Sequence, residues 1–245
     1  MAKLVPALFW LLIWAALSLF CHLEERLLPD FFSTLTAVWG LVSDNSFRTN
    51  LALTLLRVLP GIVISTAFGI PIGLAFATSR ILRNVAEPLF SFVRGVPVAT
   101  LFPAAIILFG IGDTARLVLT IYVALPILVV ATTTGAMERP ENKTRRDYLR
   151  LHQRRLASWH FPLCLVWDAL PAILSGLKIA IALSLVVVIV SEMFFVGGSG
   201  AGWYIWDQYQ SFNLSKMYAA IFLVGLVSFW MSVLLDTAQQ RMVRQ

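Results

Sequence analysis

The sequence predicts an all-α integral membrane protein with about six transmembrane helices, and three observations lead to this prediction. The 245 residues are 59% hydrophobic and only 13% charged, and the mean hydropathy is +0.82. A soluble fold of this length needs a largely polar exterior, so lipid must be the solvent for most of this surface. The charged residues are gathered into a few loops between long apolar runs, as in a protein with several spans.

The first predicted element is an apolar run at residues 4–21, long enough to cross a bilayer. A lysine close to the N-terminus and an apolar run after it also fit a cleaved signal peptide. Phe20, beside Cys21, is too large for the small residue that cleavage of a lipoprotein usually requires. We therefore favour an uncleaved first span.

The second element is an amphipathic helix that Pro29 opens and that the polar residues 44–46 close. Its apolar residues recur at helical spacing, and Trp39 suits a membrane interface. The helix is expected to lie along the membrane surface, and packing on the transmembrane bundle is compatible with that position. The apolar positions are Phe31, Leu35, Val38, Trp39 and Val42.

Five further spans are predicted, and with the first they form a single membrane domain over residues 1–245, because no linker divides the chain. The span before Arg80 contains several glycines and prolines, which neighbouring helices accommodate in a membrane. An aromatic cluster at Trp203, Tyr204 and Trp206 is typical of an interface. The predicted spans are 51–78, 90–111, 117–136, 171–196 and 219–235.

A long polar loop, residues 138–167, separates the fourth and fifth spans. Between Glu138 and His160, ten of the 23 residues are charged and seven of those are basic. Residues 144–156 are compatible with a short helix. Such a helix can transmit a push from a soluble partner to the spans, although a basic loop held near anionic lipid is an alternative.

The basic residues also predict the orientation. Six spans place both termini on the same side, and that side receives twelve Lys and Arg residues against about four on the other. The positive-inside rule makes the termini and the polar loop cytoplasmic. The net charge of +6 therefore reflects membrane topology, and it does not indicate a nucleic-acid partner.

No enzyme chemistry is predicted: no catalytic residue, no metal site and no cofactor. The chain has no phosphate-binding loop of the G-x-x-x-x-G-K type, its histidines lack metal-ligand spacing, and no nucleophile lies beside a sequence-evident base. Four charged residues within or at the edge of apolar runs are more informative, because an unpaired charge there costs several kcal/mol. Such residues are expected to line a translocation path, to form a gating pair, to make a structural salt bridge, or to snorkel near a helix end. These residues are Arg57, Arg94, Lys178 and Glu192.

From about Pro29 to Arg241 the chain resembles the permease subunit of bacterial ABC importers of the nitrate, sulfonate and taurine branch. Each match is short, and the resemblance rests on their order and spacing. The matches are Thr54-Leu-Leu-Arg57-Val, Gly69-Ile-Pro-Ile-Gly-Leu74, Glu87-Pro88-Leu89, Arg94 with Pro97, Phe109-Gly-Ile-Gly112, Leu170-Pro171 with Ser175-Gly-Leu177, Ser191-Glu192-Met193 and Gly198-Ser-Gly200.

The family's cytoplasmic hallmark is degenerate in this chain. It reads Glu-Ala-Ala, three residues, Gly, nine residues and Ile-x-Leu-Pro, and it docks in a groove of the ATPase. Here the Glu-Ala-Ala positions are occupied by Tyr148, Leu149 and Arg150, and the glycine position by Arg154. The location and length of the loop are retained, but an arginine in place of the turn-forming glycine alters the expected bend.

The resemblance implies a type I ABC importer permease fold with an external amphipathic helix and a cytoplasmic coupling helix. It implies a bacterial cytoplasmic membrane location and alternating access driven by two ATP-binding subunits. The other implied partners are a second permease, identical or different, an external substrate-binding protein and membrane lipid. The substrate class it implies is small organic or inorganic anions, such as sulfonates. The residues implied for coupling are Tyr148, Leu149, Arg150, Leu151 and Arg154, and those for the path or gate are Arg94, Thr100 and Glu192.

Two other functions are compatible with the sequence. A membrane scaffold or non-transporting paralogue fits the degenerate loop, and it would bind an ATPase weakly or leave its activity unchanged. A gradient-driven carrier or channel would work without ATPases, but it predicts more polar residues inside the membrane than this chain contains.

Overall fold

The computed structural model describes residues 31–138, 160–195 and 198–243, and every regular element in these ranges is helical. The predicted first span and most of the predicted polar loop lie outside the described residues. Four helices are long and apolar enough to cross a membrane, and a bent helix pair raises the number to as many as five. The helices are α1 Phe31–Ser43, α2 Asn45–Thr78, α3 Arg80–Gly95, a 3-10 turn Val98–Leu101, α4 Phe102–Phe109, α5 Asp113–Glu138, α6 His160–Phe194, α7 Ala201–Gln210 and α8 Leu214–Val243.

Three of the sequence expectations need adjustment. The third span is not one helix over residues 90–111, because the chain bends by 83° between α3 and the helical segment Val98–Phe109. The polar loop is helical from His160 onward, since Pro162 in the first turn of α6 is compatible with a helix start. Within α1, Val38 packs on the core while Leu35, Trp39 and Val42 are exposed, so the apolar residues divide between two faces.

The chain divides into two compact units. The first comprises Met1–Thr54 and Glu192–Val227, and the second comprises Leu55–Ser191 and Ser228–Gln245. The first unit has one apolar core, which is formed by α1, the start of α2, α7 and the start of α8. Phe47 and Tyr204 meet edge to face there, with ring centroids 5.2 Å apart. Burial raises the pKa of the Tyr204 hydroxyl, and the charges of Asp44 and Asp207 act in the same direction, so this ring stays neutral. The buried core residues are Leu41, Phe47, Tyr204, Ile205, Ala219, Ala220 and Leu223.

The second unit is held together by small residues at helix crossings. Gly61, Gly69 and Gly73 of α2 each face α5, and a Cβ added at Gly73 would lie 2.6 Å from the Thr132 Cβ. The Thr133 hydroxyl donates a hydrogen bond of 3.1 Å to the Gly73 carbonyl oxygen. In lipid the hydrophobic effect does not drive helices together. Close van der Waals contact between backbones, which small residues allow, holds the helices together instead. Pro60 and Pro71 are accordingly tolerated inside the continuous helix α2.

Candidate functional site: a cavity at a broken span

The predicted third span is broken at a short extended segment. Gly95 ends α3, and Val96 follows with φ −78° and ψ 119°. Proline favours this extended conformation in the residue before it and has no N–H to continue the helical ladder. Pro97 therefore explains why α3 stops and a new helical segment begins at Val98.

A cavity of about 340 Å³ lies beside this break, within the second unit. Its walls come from the break, from the middle of α5 and from α6, and they are mainly apolar. Arg94, in the last turn of α3, supplies the charge among the lining residues. These residues are Val93, Arg94, Val96, Pro97, Val98, Tyr122, Val123, Pro126, Ile127, Leu183, Val186 and Val187.

Two hydroxyl groups stabilise the broken segment. The Tyr122 hydroxyl of α5 donates a 2.5 Å hydrogen bond to the Val93 carbonyl oxygen. Carbonyl groups in the last turn of a helix lack an intrahelical donor, so Tyr122 satisfies one of them. The Thr100 hydroxyl donates to the Pro97 carbonyl oxygen at 2.7 Å. Thr100, predicted for the path or gate, thus bonds within the turn and is not among the lining residues of this cavity, and its predicted role stays a prediction.

Glu192 occupies a different environment, in the first unit. Its residue surface is only 1% exposed. The Thr54 hydroxyl lies 3.0 and 2.8 Å from its two carboxylate oxygens, and the Gly202 N–H donates to Oε2 at 3.0 Å. Thr54 Oγ1 in turn accepts a 2.8 Å hydrogen bond from the Ala201 N–H. The carboxylate thus accepts a backbone hydrogen bond from the first turn of α7. The positive end of the helix dipole stabilises anionic groups at this position.

A glycine makes room for this carboxylate. Gly200 has φ +113° and donates its N–H to Asn50 Oδ1 at 2.7 Å. A Cβ built at Gly200 would overlap the Cδ and both oxygens of Glu192. Positive φ and lack of space therefore both require glycine here. This geometry supports a structural role for Glu192, and its predicted role in the path or gate stays a prediction.

The remaining intramembrane charges make ion pairs. Asp113, whose side chain is 70% exposed, accepts from Arg57 Nε at 2.9 Å and from Arg116 Nη1 at 2.7 Å. Lys178 Nζ pairs with Asp236 Oδ1 on α8. One helical turn further along α8, Gln239 Nε2 donates to the Pro171 carbonyl oxygen and to Ser175 Oγ at 3.1 and 3.0 Å. Four polar side chains thus join α6 to the C-terminal half of α8.

The site residues predicted for coupling lie outside the described residues, so their roles stay predictions. These residues are Tyr148, Leu149, Arg150, Leu151 and Arg154. Among residues 31–138, 160–195 and 198–243, no group of three or more His, Cys, Asp or Glu side chains is placed to hold a metal ion.

Sequence comparisons give a consistent set of relatives. The chain is 26% identical over 226 residues to the nitrate import permease protein NrtB of Synechocystis sp., covering 89% of this chain and 80% of that protein. It is 30% identical over 190 residues to the bicarbonate transport system permease protein CmpB of Synechococcus elongatus, covering 77% and 66%. The taurine transport system permease protein TauC of Escherichia coli is 25% identical over 199 residues, covering 81% and 71%. No protein-family model matches the chain.

The fold has a solved counterpart. A structure of the MetNI methionine ABC transporter in inward-facing conformations superposes with a TM-score of 0.61 over 84% of this chain and 95% of that chain. At 19% identity, this match shows the fold alone. The sequence relatives, together with this fold and the apolar helices, show that the chain belongs to the permease subunits of bacterial ABC importers, in the branch of the nitrate, bicarbonate and taurine permeases.

Proposed function

We propose that this chain forms part of the membrane pathway of an ATP-driven importer for a small anion. The observation that carries the anion proposal is Arg94 in a mainly apolar cavity at a broken span. The printed names of the relatives add support, because nitrate and bicarbonate are anions and taurine carries a sulfonate. A guanidinium group matches the planar or trigonal oxygen arrangement of such groups.

Transport would proceed by alternating access in the cytoplasmic membrane, with both termini on the cytoplasmic side. Two ATP-binding subunits would hydrolyse ATP, so this chain would perform no covalent chemistry. A second permease, identical or different, would complete the pathway, and an external binding protein would deliver the substrate. ATP must then favour one state of a bistable helix bundle over the other.

Uptake into proteoliposomes tests the anion proposal. The permease would be reconstituted with its ATP-binding subunits and binding protein, and ATP-dependent uptake of nitrate, bicarbonate and taurine would be compared. Arg94→Gln is expected to reduce the specificity constant for the transported anion about 10-fold or more, because it removes a charge-assisted contact. Arg80→Gln, on the exposed first residue of α3, is the matched control and should transport normally. Normal uptake by Arg94→Gln would refute a role for the Arg94 charge in transport, and with it the observation that carries the anion proposal.

A second experiment tests coupling. The chain would be purified in detergent from its native membrane with its bound partners, and Arg150→Glu combined with Arg154→Glu should lose the ATP-binding subunit. If the unaltered chain purifies with an ATP-binding subunit whose activity it leaves unchanged, the degenerate loop favours the alternative of a non-transporting scaffold. Uptake that needs an ion gradient and no ATP would instead identify a carrier.

A further inference from the structure

The turn between α7 and α8 places a phenylalanine where the backbone favours glycine. The Phe212 N–H donates to the Tyr209 carbonyl oxygen at 3.1 Å, and the Asn213 N–H donates to the Gln208 carbonyl oxygen at 2.9 Å. This pair of bonds is the Schellman end of a helix, and it needs a left-handed residue just past the last turn. Phe212 fills that position with φ 55°, and among the described residues it alone combines a positive φ with a side chain larger than hydrogen.

Packing within the described part of the chain does not account for this residue. The surface of Phe212 is 89% exposed, so its ring gains little from contact with the described helices. The two hydrogen bonds of the turn would form equally well with glycine, so they do not explain why a phenylalanine stands here. A strained position that carries a large exposed ring points to a partner outside the chain. The partner must suit a large apolar ring at the tip of a turn.

The position of the turn indicates which partner this is. The part of α8 that is long and apolar enough to cross a membrane runs over Leu214–Thr237, so Phe212 stands two residues before this candidate span. Tyr209 and Trp206, both exposed, precede it on α7, and their ring centroids are 5.4 Å apart. Polar residues alternate with these rings: Asp207, Gln208, Gln210, Ser211 and Asn213. Rings beside polar groups at the end of a span are typical of the boundary between lipid headgroups and acyl chains.

We propose that this turn is a lipid anchor, in which the Phe212 ring inserts at the headgroup boundary beside Tyr209. The ring stands two residues before the candidate span of α8 and next to two further exposed rings on α7, which favours a bilayer over a protein partner. Insertion of the ring offsets the strain of the left-handed backbone. The anchor fixes the depth of the turn between α7 and α8 in the bilayer. This role is independent of the substrate that the permease transports.

Photo-crosslinking from the ring position tests the proposal in the full chain. p-Benzoylphenylalanine would replace Phe212, and, as a matched control, the exposed Gln210 two residues earlier. After illumination in native membranes, mass spectrometry of the purified chain should find several-fold more phospholipid adduct at position 212 than at position 210. Equal lipid adducts at the two positions, or a dominant crosslink from 212 to a second copy of the chain or to another protein, would overturn the proposal.

Thermal unfolding in lipid nanodiscs gives a second test. The sign of the change in unfolding temperature on Phe212→Gly distinguishes a lipid anchor from an ordinary turn. A turn without an outside partner becomes more stable when glycine relieves a positive φ. For an anchor, Phe212→Gly should instead lower the unfolding temperature by about 2 °C or more. The Phe212→Trp variant keeps a large interfacial ring and should unfold near the temperature of the unaltered protein. A higher unfolding temperature for Phe212→Gly would contradict the proposal.

Discussion

The hydroxyl of Thr54 lies within hydrogen-bonding distance of both carboxylate oxygens of Glu192, although 138 positions separate the two residues in the chain. The same hydroxyl accepts the Ala201 N–H at 2.8 Å, and its single hydrogen faces the carboxylate at 2.8 Å and the Asn50 carbonyl oxygen at 3.2 Å. The relation joins α2, α6 and the start of α7 at one buried point. Four predictions follow from this and three comparable contacts.

Replacing Thr54 by valine should destabilise the protein by about 1–3 kcal/mol, because the buried carboxylate loses a donor and Ala201 loses an acceptor. Glu192→Gln should have a cost of the same order, because the NH₂ group of glutamine would face the Thr54 hydroxyl or the Gly202 N–H, which both donate to the carboxylate. Thr54→Ser keeps the hydroxyl and is the matched control. Unfolding in mixed micelles with increasing dodecyl sulfate measures the differences, and equal stability of the valine and serine variants would contradict this account.

Gly200→Ala should cost more stability than Gly110→Ala, and the pair separates two effects. Gly110 also has a positive φ, +78°, but no other described atom lies within 4 Å of where its Cβ would be. Its substitution therefore measures backbone strain, about 1–3 kcal/mol for a conformation that is essentially restricted to glycine. Gly200 has a backbone of the same kind, and there the added methyl group must also displace the Glu192 carboxylate, which adds about 1–3 kcal/mol. Similar unfolding free energies for the two variants would show that the carboxylate moves without cost.

Gly73→Ala should destabilise the second unit, whereas Gly225→Ala should be neutral or slightly stabilising. Both glycines lie inside helices, where alanine is favoured by up to about 1 kcal/mol. At Gly73 the new Cβ would lie 2.8 Å from the Val129 carbonyl oxygen, and at Gly225 it would meet no described atom within 4 Å. Forced separation of α2 from α5 should cost about 1–3 kcal/mol. Thermal unfolding of both variants in one detergent checks the difference in sign.

The Lys178–Asp236 pair should behave as a coupled unit. Each side chain is 24% exposed, so removing one partner leaves a partly buried charge, at a cost of about 1–3 kcal/mol. Lys178→Asp should be severely destabilised by two neighbouring carboxylates, and adding Asp236→Lys should recover most of the loss. A double-mutant cycle measures the coupling energy. If the swapped pair is no more stable than Lys178→Asp alone, the contact does not stabilise the fold.

The helices were predictable from sequence because apolar runs fix where a chain can cross a bilayer. Their ends were less so: α2 begins at Asn45, six residues before the expected start, since hydropathy reports the apolar part of a helix and not its polar extension. Pro97 marked a weak point in the third span, but the size of the bend depends on packing against α5. The partners of the charges were not predictable, because Asp113 is 56 positions from Arg57 and Asp236 is 58 positions from Lys178.

Signals for parts of the candidate site were nevertheless present. Thr54 and Gly200 stood in short motifs that matched the permease family, but nothing local shows that both meet Glu192. The role of Tyr122 could not be predicted from the sequence, because a tyrosine in an apolar run is equally suited to a lipid interface. Its bond to Val93 depends on where α3 ends, which is a tertiary property.

The length of α6 has a mechanical consequence. Its 35 residues extend roughly 50 Å, against a hydrocarbon thickness of about 30 Å. Even a 40° tilt uses only about 39 Å of this length, so one end of the helix must project well beyond the acyl chains. If His160 is that end, the projection is a lever attached directly to the basic segment before it. A displacement of its tip would then be carried into the bilayer by a continuous helix, with Pro171 as a point of lower stiffness.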